Sequence, residues 1–278
     1  MKQIQDISGI GLGTAQFAFQ SGSREQSLAT VRAALDAGVR LIDTALAYTR
    51  AGELSTAESI VRDALADRGA ADDILVATKG GHWRDGDRFP IDGSEAALRS
   101  HVDISLRVLG VDALDLYQLH HVDPVVPIEE SVAALERLRI EGKVVQLGLS
   151  NVSREQLDSA LGIAPISSVQ NRLSFTRMAD LPLAVACAEH GIRYLAYLPL
   201  DGPGAMIAQD DPRRAIAAAR GVSVQALTLA WLRHLSPAII PLVGASRPVT
   251  IADSASSARI DLSTDEVETI GSAAHAGA

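Results

Sequence analysis

The sequence predicts a single-domain (β/α)₈ TIM barrel over residues 1–278, and three observations carry that expectation. Eight short runs rich in Val, Ile and Leu recur along the chain, each followed by a segment of helical periodicity. These runs are near-continuously apolar, as strands of a parallel sheet covered by helices must be. The length, 278 residues, is close to the ~250 typical of one such barrel, and no Pro/Gly/Ser-rich linker or shift of composition divides the chain.

The strand runs are 9–15 (GIGLGTA), 40–45 (RLIDTA), 74–79 (ILVATK), 113–120 (ALDLYQLH), 144–150 (VVQLGLS), 166–171 (ISSVQN), 192–198 (IRYLAYL) and 238–244 (AIIPLVG). Ser23 caps a helix expected to run to Ala37 and stop at Gly38. Ser94 or Asp92 caps another that ends near Gly110. Pro127 followed by Glu129 and Glu130 sets proline and acid in a first turn, and Gly142 closes that helix. Ser153 caps the next, and Gly191 ends the one after. The stretch STDEVETIGSAA reads as one more short helix. Gly9-Ile-Gly11-Leu-Gly13 is no nucleotide fingerprint: the spacing is not G-x-G-x-x-G, and the glycines lie within a strand instead of opening a helix.

Composition narrows the function. A hydrophobic content of 47% with only 4% aromatics gives a sizeable, aliphatic core. The net charge of −9 disfavours nucleic acid and anionic membrane surfaces as partners. The start, MKQIQDISGI, has no apolar signal region, and no apolar run is long enough to span a bilayer, so a cytoplasmic protein is expected. A single cysteine, Cys187, excludes an internal disulfide and a multi-cysteine metal site; its neighbours LAVACAEH read as a buried helix face. No feature of the sequence sets an oligomeric state.

In this fold, polar residues at the C-terminal ends of strands face the active site. Strand two ends in Asp43, with Tyr48 in the following loop; strand three ends in Lys79 and strand four in His120-His121. Singly, Asp43 and Lys79 read as a buried ion pair and Tyr48 as a packing residue. Together the four form a proton-donor assembly. Reducing a carbonyl places negative charge on its oxygen, and something must protonate it. Tyrosine, with a pKa about 10, is a weak acid at neutral pH. A lysine ammonium beside the phenol is expected to lower that pKa, and a buried carboxylate to hold the lysine charged. Tyr48 is then the proton donor, Lys79 and Asp43 tune it, and His120 positions the substrate. Adjacent histidines on a strand point to opposite faces and no third ligand has helpful spacing, so His120-His121 does not read as a metal site. His121 either touches substrate or faces a helix. The loop from Gly80 to Gly93 is the longest at this rim, and Trp83 and Phe89 are candidates for a pocket wall.

Six motifs occur in order: Gly11-Leu-Gly-Thr; Leu41-Ile-Asp-Thr-Ala-x-x-Tyr48; Ala77-Thr-Lys-Gly; Leu114-Asp-Leu-Tyr-Gln-Leu-His120 running into Asp123-Pro-x-x-Pro-Ile-Glu-Glu; Glu141-Gly-Lys-Val-Val-Gln-Leu-Gly-Leu-Ser-Asn151; and Ser168-Val-Gln-Asn171. Their order and placement resemble the aldo-keto reductases over nearly the whole chain. The resemblance implies an oxidoreductase that carries hydride from NADPH, with NADH possible, to a small-molecule aldehyde or ketone. It implies further that Ser150, Asn151 and Gln170 hold the nicotinamide carboxamide and that Tyr197 stacks on the ring. Leu200, Gly202 and Gly204 match the loop whose backbone covers the pyrophosphate, and Ser246 and Arg247 match the grip on the adenosine 2′-phosphate. The chain departs from that pattern at Thr250, where a basic residue is frequent, and at Asp253-Ser254, where an acid–asparagine pair for adenine is usual. Two alternatives stand beside the reductase: a nucleotide-binding regulatory subunit with little turnover, and a barrel isomerase using Lys79 as a Schiff base.

Overall fold

A computed structural model describes residues 2–19, 22–67, 73–202 and 207–276. Eight parallel strands close a barrel in sequence order: β1 (Gly11–Gly13), β2 (Leu41–Asp43), β3 (Leu75–Gly80), β4 (Leu114–Leu119), β5 (Val144–Ser150), β6 (Ile166–Arg172), β7 (Arg193–Tyr197) and β8 (Ile239–Gly244). All eight expected strands are present. The helices are α1 (Gln16–Phe19), α2 (Arg24–Asp36), α3 (Thr56–Ala66), α4 (Glu95–Leu109), α5 (Ile128–Ile140), α6 (Arg154–Leu161), α7 (Leu181–Glu189), α8 (Pro212–Arg220), α9 (Val224–Leu235), α10 (Pro248–Ala255) and α11 (Thr264–Ala276).

The helix starts follow their caps. The Ser23 hydroxyl accepts from Gln26 N, and Ser153 forms a reciprocal capping box with Gln156. Ser94, not Asp92, caps α4; Asp92 instead accepts from the Ser94 amide at 2.9 Å. Gly142 takes a left-handed φ of 80° just past α5. The connection from β7 to β8 holds two helices where one per unit was expected. Gly221, at φ 64°, ends α8, and the Ser223 side chain starts α9 two residues later. The final helix α11 is present and reaches Ala276. Cys187 is free and buried. Among the described residues no single helix is long and apolar enough to cross a membrane.

The two-residue period of each strand sorts the barrel interior by height. Leu41, Leu75, Ala77, Leu116, Leu195, Ile240 and Leu242 fill its lower part, together with Ile4 and Ile7. A 3₁₀ turn at Ile4–Asp6 closes that end. It is fastened by Gln146, whose side chain accepts from Ile4 N at 2.9 Å and donates to the carbonyls of Lys2 and Asp115 at 3.0 Å each. One step further along the same strand faces the residues become polar: Asp43 after Leu41, Lys79 after Ala77 and Gln118 after Leu116, with His120 just beyond β4. A second apolar layer, including Ile42, Tyr117, Leu119, Tyr194 and Trp231, packs the barrel against its helices.

Candidate active site

At the upper end of the barrel Lys79 is fully buried. Its ammonium donates to Asp43 Oδ2 at 2.8 Å, to the Thr44 carbonyl at 2.9 Å and to the Tyr48 hydroxyl at 3.2 Å. It also lies 4.7 Å from the centre of the Tyr48 ring. The other Asp43 oxygen accepts from Gln170 Nε2 at 2.8 Å, and Gln118 approaches it at 3.5 Å. The His120 ring meets Tyr48 edge to face, centroids 5.6 Å apart, and its Nδ1 is buried without a partner. Asp43, Tyr48, Lys79 and His120 therefore stand together, as expected.

The electrostatics correct one expectation. Burial pushes the Tyr48 phenol up, and Lys79, by charge and hydrogen bond, pulls it down by less; Asp43 adds to the rise, so the net shift is upward from 10.0. For Lys79, burial disfavours the ammonium, but Asp43 and Tyr48 outweigh it and the pKa lies above 10.5. Burial, with the Lys79 charge next, holds His120 well below 6.5. At neutral pH the site is a protonated phenol between an ammonium and a neutral imidazole. A lysine held charged and this tightly paired is a poor Schiff-base nucleophile.

Ser150, Asn151 and Tyr197 connect directly to this group. Ser150 Oγ donates to the Gln170 carbonyl at 2.9 Å. Asn151, in the left-handed region at φ 59°, donates to the His120 carbonyl at 3.0 Å and accepts from the Tyr197 hydroxyl at 2.9 Å. Gln170 has its amide N–H on Asp43, so it braces the ion pair.

Beyond Tyr197 a cleft of about 760 Å³ is lined by Leu200, Asp201, Gly202, Arg213, Ser246 and Arg247, among others. Gly204 lies outside the described residues. Arg247 is exposed and its guanidinium has no ion-pair partner among the described residues. The Asp201 carboxylate accepts from the hydroxyls of Ser174 and Thr176, which pins the β7–α8 loop to the loop after β6. Arg213 is 6% exposed, bonds Asp211 Oδ2 at 2.6 Å and Thr228 at 3.1 Å, and lies 3.4 Å over the Phe175 ring. Asp253 accepts from Ser223, and Ser254 is buried.

The residues after β3 and β4 differ from the sequence reading. β4 ends at Leu119, so His120 and His121 are beyond the strand and do not alternate. Their rings stack on one side, 5.0 Å apart and 14° from parallel. The 80–93 loop is a hairpin, bridged at His82–Ile91 and at Asp85–Arg88. It carries His82 to within 5.0 Å of the His120 ring and 4.8 Å of the His121 ring. Phe89 stacks on His82, while Trp83 packs on His101 of α4. Among the described residues no group of three His, Cys, Asp or Glu is placed to hold a metal ion. The sequence reading missed Gln118, His82, Phe19 and Arg213. The period along β4 that places Leu116 inward also places Gln118 there.

The upper rim of the parallel barrel thus holds an ion-paired lysine against a tyrosine, with a separate cleft lined by Leu200, Ser246 and Arg247. The model of the aldo/keto reductase family matches residues 9–275, and the chain belongs to that family. It is similar to pyridoxine 4-dehydrogenase from Escherichia coli, 31% identical over 96% of this chain and 94% of that one. A 169-residue stretch is 38% identical to aldo-keto reductase YhdN from Bacillus subtilis, covering 59% of this chain and half of YhdN. Among solved structures, glycerol dehydrogenase from Gluconobacter oxydans superposes with a TM-score of 0.83 at 28% identity, over 96% of this chain and 92% of the other. An aldo/keto reductase from Klebsiella pneumoniae, in complex with NADP and acetate, gives 0.80 at 28%, over 95% and 90%.

Proposed function

We propose that this chain reduces an aldehyde or ketone with NADPH, with Tyr48 as the proton donor. The observation that carries the reading is the Tyr48 hydroxyl 3.2 Å from a buried ammonium that Asp43 holds at 2.8 Å. The cofactor fits the residues present. A cleft of about 760 Å³, lined from Leu198 just after Tyr197 to Arg247, is within the ~300–1,000 Å³ usual for ligand sites. Tyr197 would face the nicotinamide, with Ser150 and Asn151 beside it and Gln170 behind. The backbone of Leu200 and Gly202 would cover the pyrophosphate. Arg247 and Ser246 would take the 2′-phosphate, Arg247 through a charge-assisted fork. That unpaired arginine, and the NADP seen in the Klebsiella relative, favour NADPH over NADH.

When bound, the nicotinamide supplies hydride to the carbonyl carbon. Tyr48 gives its proton to the oxygen as charge gathers there. Lys79 stabilises the phenolate left behind, and Asp43, braced by Gln170, keeps Lys79 charged and in place. Neutral His120 donates a hydrogen bond to the same oxygen and orients it. The raised pKa keeps Tyr48 protonated until substrate charge develops, as a donor requires.

The test is a panel of carbonyls with NADPH oxidation followed at 340 nm, and of alcohols with NADP⁺. Pyridoxine and glycerol, named for the Escherichia and Gluconobacter relatives, belong in the second arm. Tyr48→Phe is expected to slow single-turnover hydride transfer by about 10²–10⁴-fold while NADPH still binds. A Tyr48→Phe enzyme with undiminished turnover sinks the proton-donor assignment.

A further inference from the structure

The rings at the mouth of the site form a closed circuit. Phe19 meets Tyr48 at 6.2 Å, Tyr48 meets His120 at 5.6 Å, and His120 meets His82 at 5.0 Å. His82 then stacks on Phe89 at 5.7 Å, and Phe89 returns to Phe19 at 6.0 Å. Every spacing lies in the ~4.5–7 Å range at which aromatic faces and edges attract. His121 lies against the circuit, 4.8 Å from His82. The apolar members, Phe19 and Phe89, are 50% and 40% exposed, although large side chains elsewhere in the chain are mostly buried. His82 and His121 are half-buried, so they too are partly exposed to solvent.

The polarity of this mouth is specific. Burial depresses both half-buried imidazoles, His121 to about 4, so each is neutral and presents one N–H and one lone pair. His82 Nδ1 is engaged with the Pro90 carbonyl at 3.0 Å, which leaves Nε2 as a lone pair. The charged groups nearby are committed. Lys79 is buried on Asp43, and Arg84, 5.6 Å from the Phe89 ring, donates to the carbonyls of Thr49 and Gly86 and pairs with Asp87.

We infer that His82 and His121 are specificity-determining residues, and that they select a neutral, planar, conjugated carbonyl compound carrying a hydroxyl group. The rings receive the flat face, and the two imidazoles read the hydroxyl while Tyr48 and His120 hold the carbonyl oxygen. This rests on the carbonyl-reductase reading and adds the substrate class to it.

Four aldehydes of similar size separate the terms: 3-hydroxybenzaldehyde, benzaldehyde, 4-carboxybenzaldehyde and cyclohexanecarbaldehyde. In the wild type, kcat/KM is expected to rank them with 3-hydroxybenzaldehyde first, benzaldehyde second and the other two below. His82→Phe and His121→Phe keep a ring and remove the hydrogen bonds. Each should cut the preference for 3-hydroxybenzaldehyde over benzaldehyde about two- to tenfold, chiefly through KM. Calorimetric titration of the same aldehydes in the presence of NADP⁺ reads the pocket without turnover. A chain that reduces none of them yet binds them in that order refutes the reductase reading and upholds this one. A wild type that treats benzaldehyde and cyclohexanecarbaldehyde alike, or variants that leave the hydroxyl preference intact, overturn it.

Discussion

Asp43 accepts from Lys79 on one oxygen and from Gln170 on the other, so the neighbouring strands β2 and β3 and the opposite strand β6 meet at one carboxylate. The tetrad is legible because each member lies at or just beyond the end of an apolar run. The brace was not. Gln170 and Gln118 reach Asp43 only because β2, β4 and β6 converge on the barrel axis, and no local pattern records that convergence. The pair His120–His121 was misread for a related reason: alternation holds only while the strand lasts, and β4 stops at Leu119. At the far end of the cleft Arg247 is the free cation among the described cleft residues, since Arg213 is neutralised by Asp211. Replacing Arg247 with Ala should cost NADPH roughly 1.5–3 kcal/mol of affinity, about 10–150-fold, and NADH much less. Fluorescence titration of both nucleotides checks this; an unchanged ratio between them would rule out the 2′-phosphate contact.

At the scale of elements, most helix boundaries were legible from their caps, whereas the break between α8 and α9 was hidden by helical periodicity on both sides of Gly221. The packing between elements was not legible. Thr78, on the outer face of β3 beside Lys79, donates to Glu58 of α3 at 2.6 Å, and Glu58 is fully buried with its second oxygen unpartnered. Burial raises its pKa above 4.5, against the Thr78 hydrogen bond. The sign follows from linkage: a raised pKa gives stability that is fully present below the unfolded value and is lost as pH rises through the folded one. Glu58→Gln keeps an acceptor for Thr78 and removes the ionisation. It should raise stability at pH 8 by about 1 kcal/mol, ~2–4 °C in Tm for a chain of this size, and by little at pH 4.5. A thermal melt of both proteins at the two pH values decides it; an equal gain at both would show that charge is not the cause. Gly80 limits this same junction. A Cβ there would lie 1.9 Å from the Tyr117 hydroxyl, so the strand end that aims Lys79 has no room for any other residue.

For the molecule as a whole, the barrel is unevenly stitched. β4 pairs with β5, and β6 with β7, at five residue positions each, whereas β1 meets β2 and β8 at three. The β1–β8 register joins Gly11 to Leu242, so that seam bridges nearly the full chain, and closing it carries the largest loop-entropy cost in the fold. The long central pairings should therefore form first and the seam last. Pulse-labelled hydrogen exchange during refolding is expected to protect amides of β3–β7 before those of β1, β2 and β8; simultaneous protection would exclude this order. The seam also divides the proposed catalytic group. Lys79 and His120 belong to the early half, while Asp43 ends β2 and Tyr48 follows it, and the proposed Ser246–Arg247 grip follows β8. A partly closed intermediate would hold an unpaired Lys79 with neither its carboxylate nor its phenol, and could not grip a nucleotide at both ends. Catalytic competence thus works as a clock for the last folding event: the first turnover of a refolding sample reports the moment at which the two ends of the chain become neighbours.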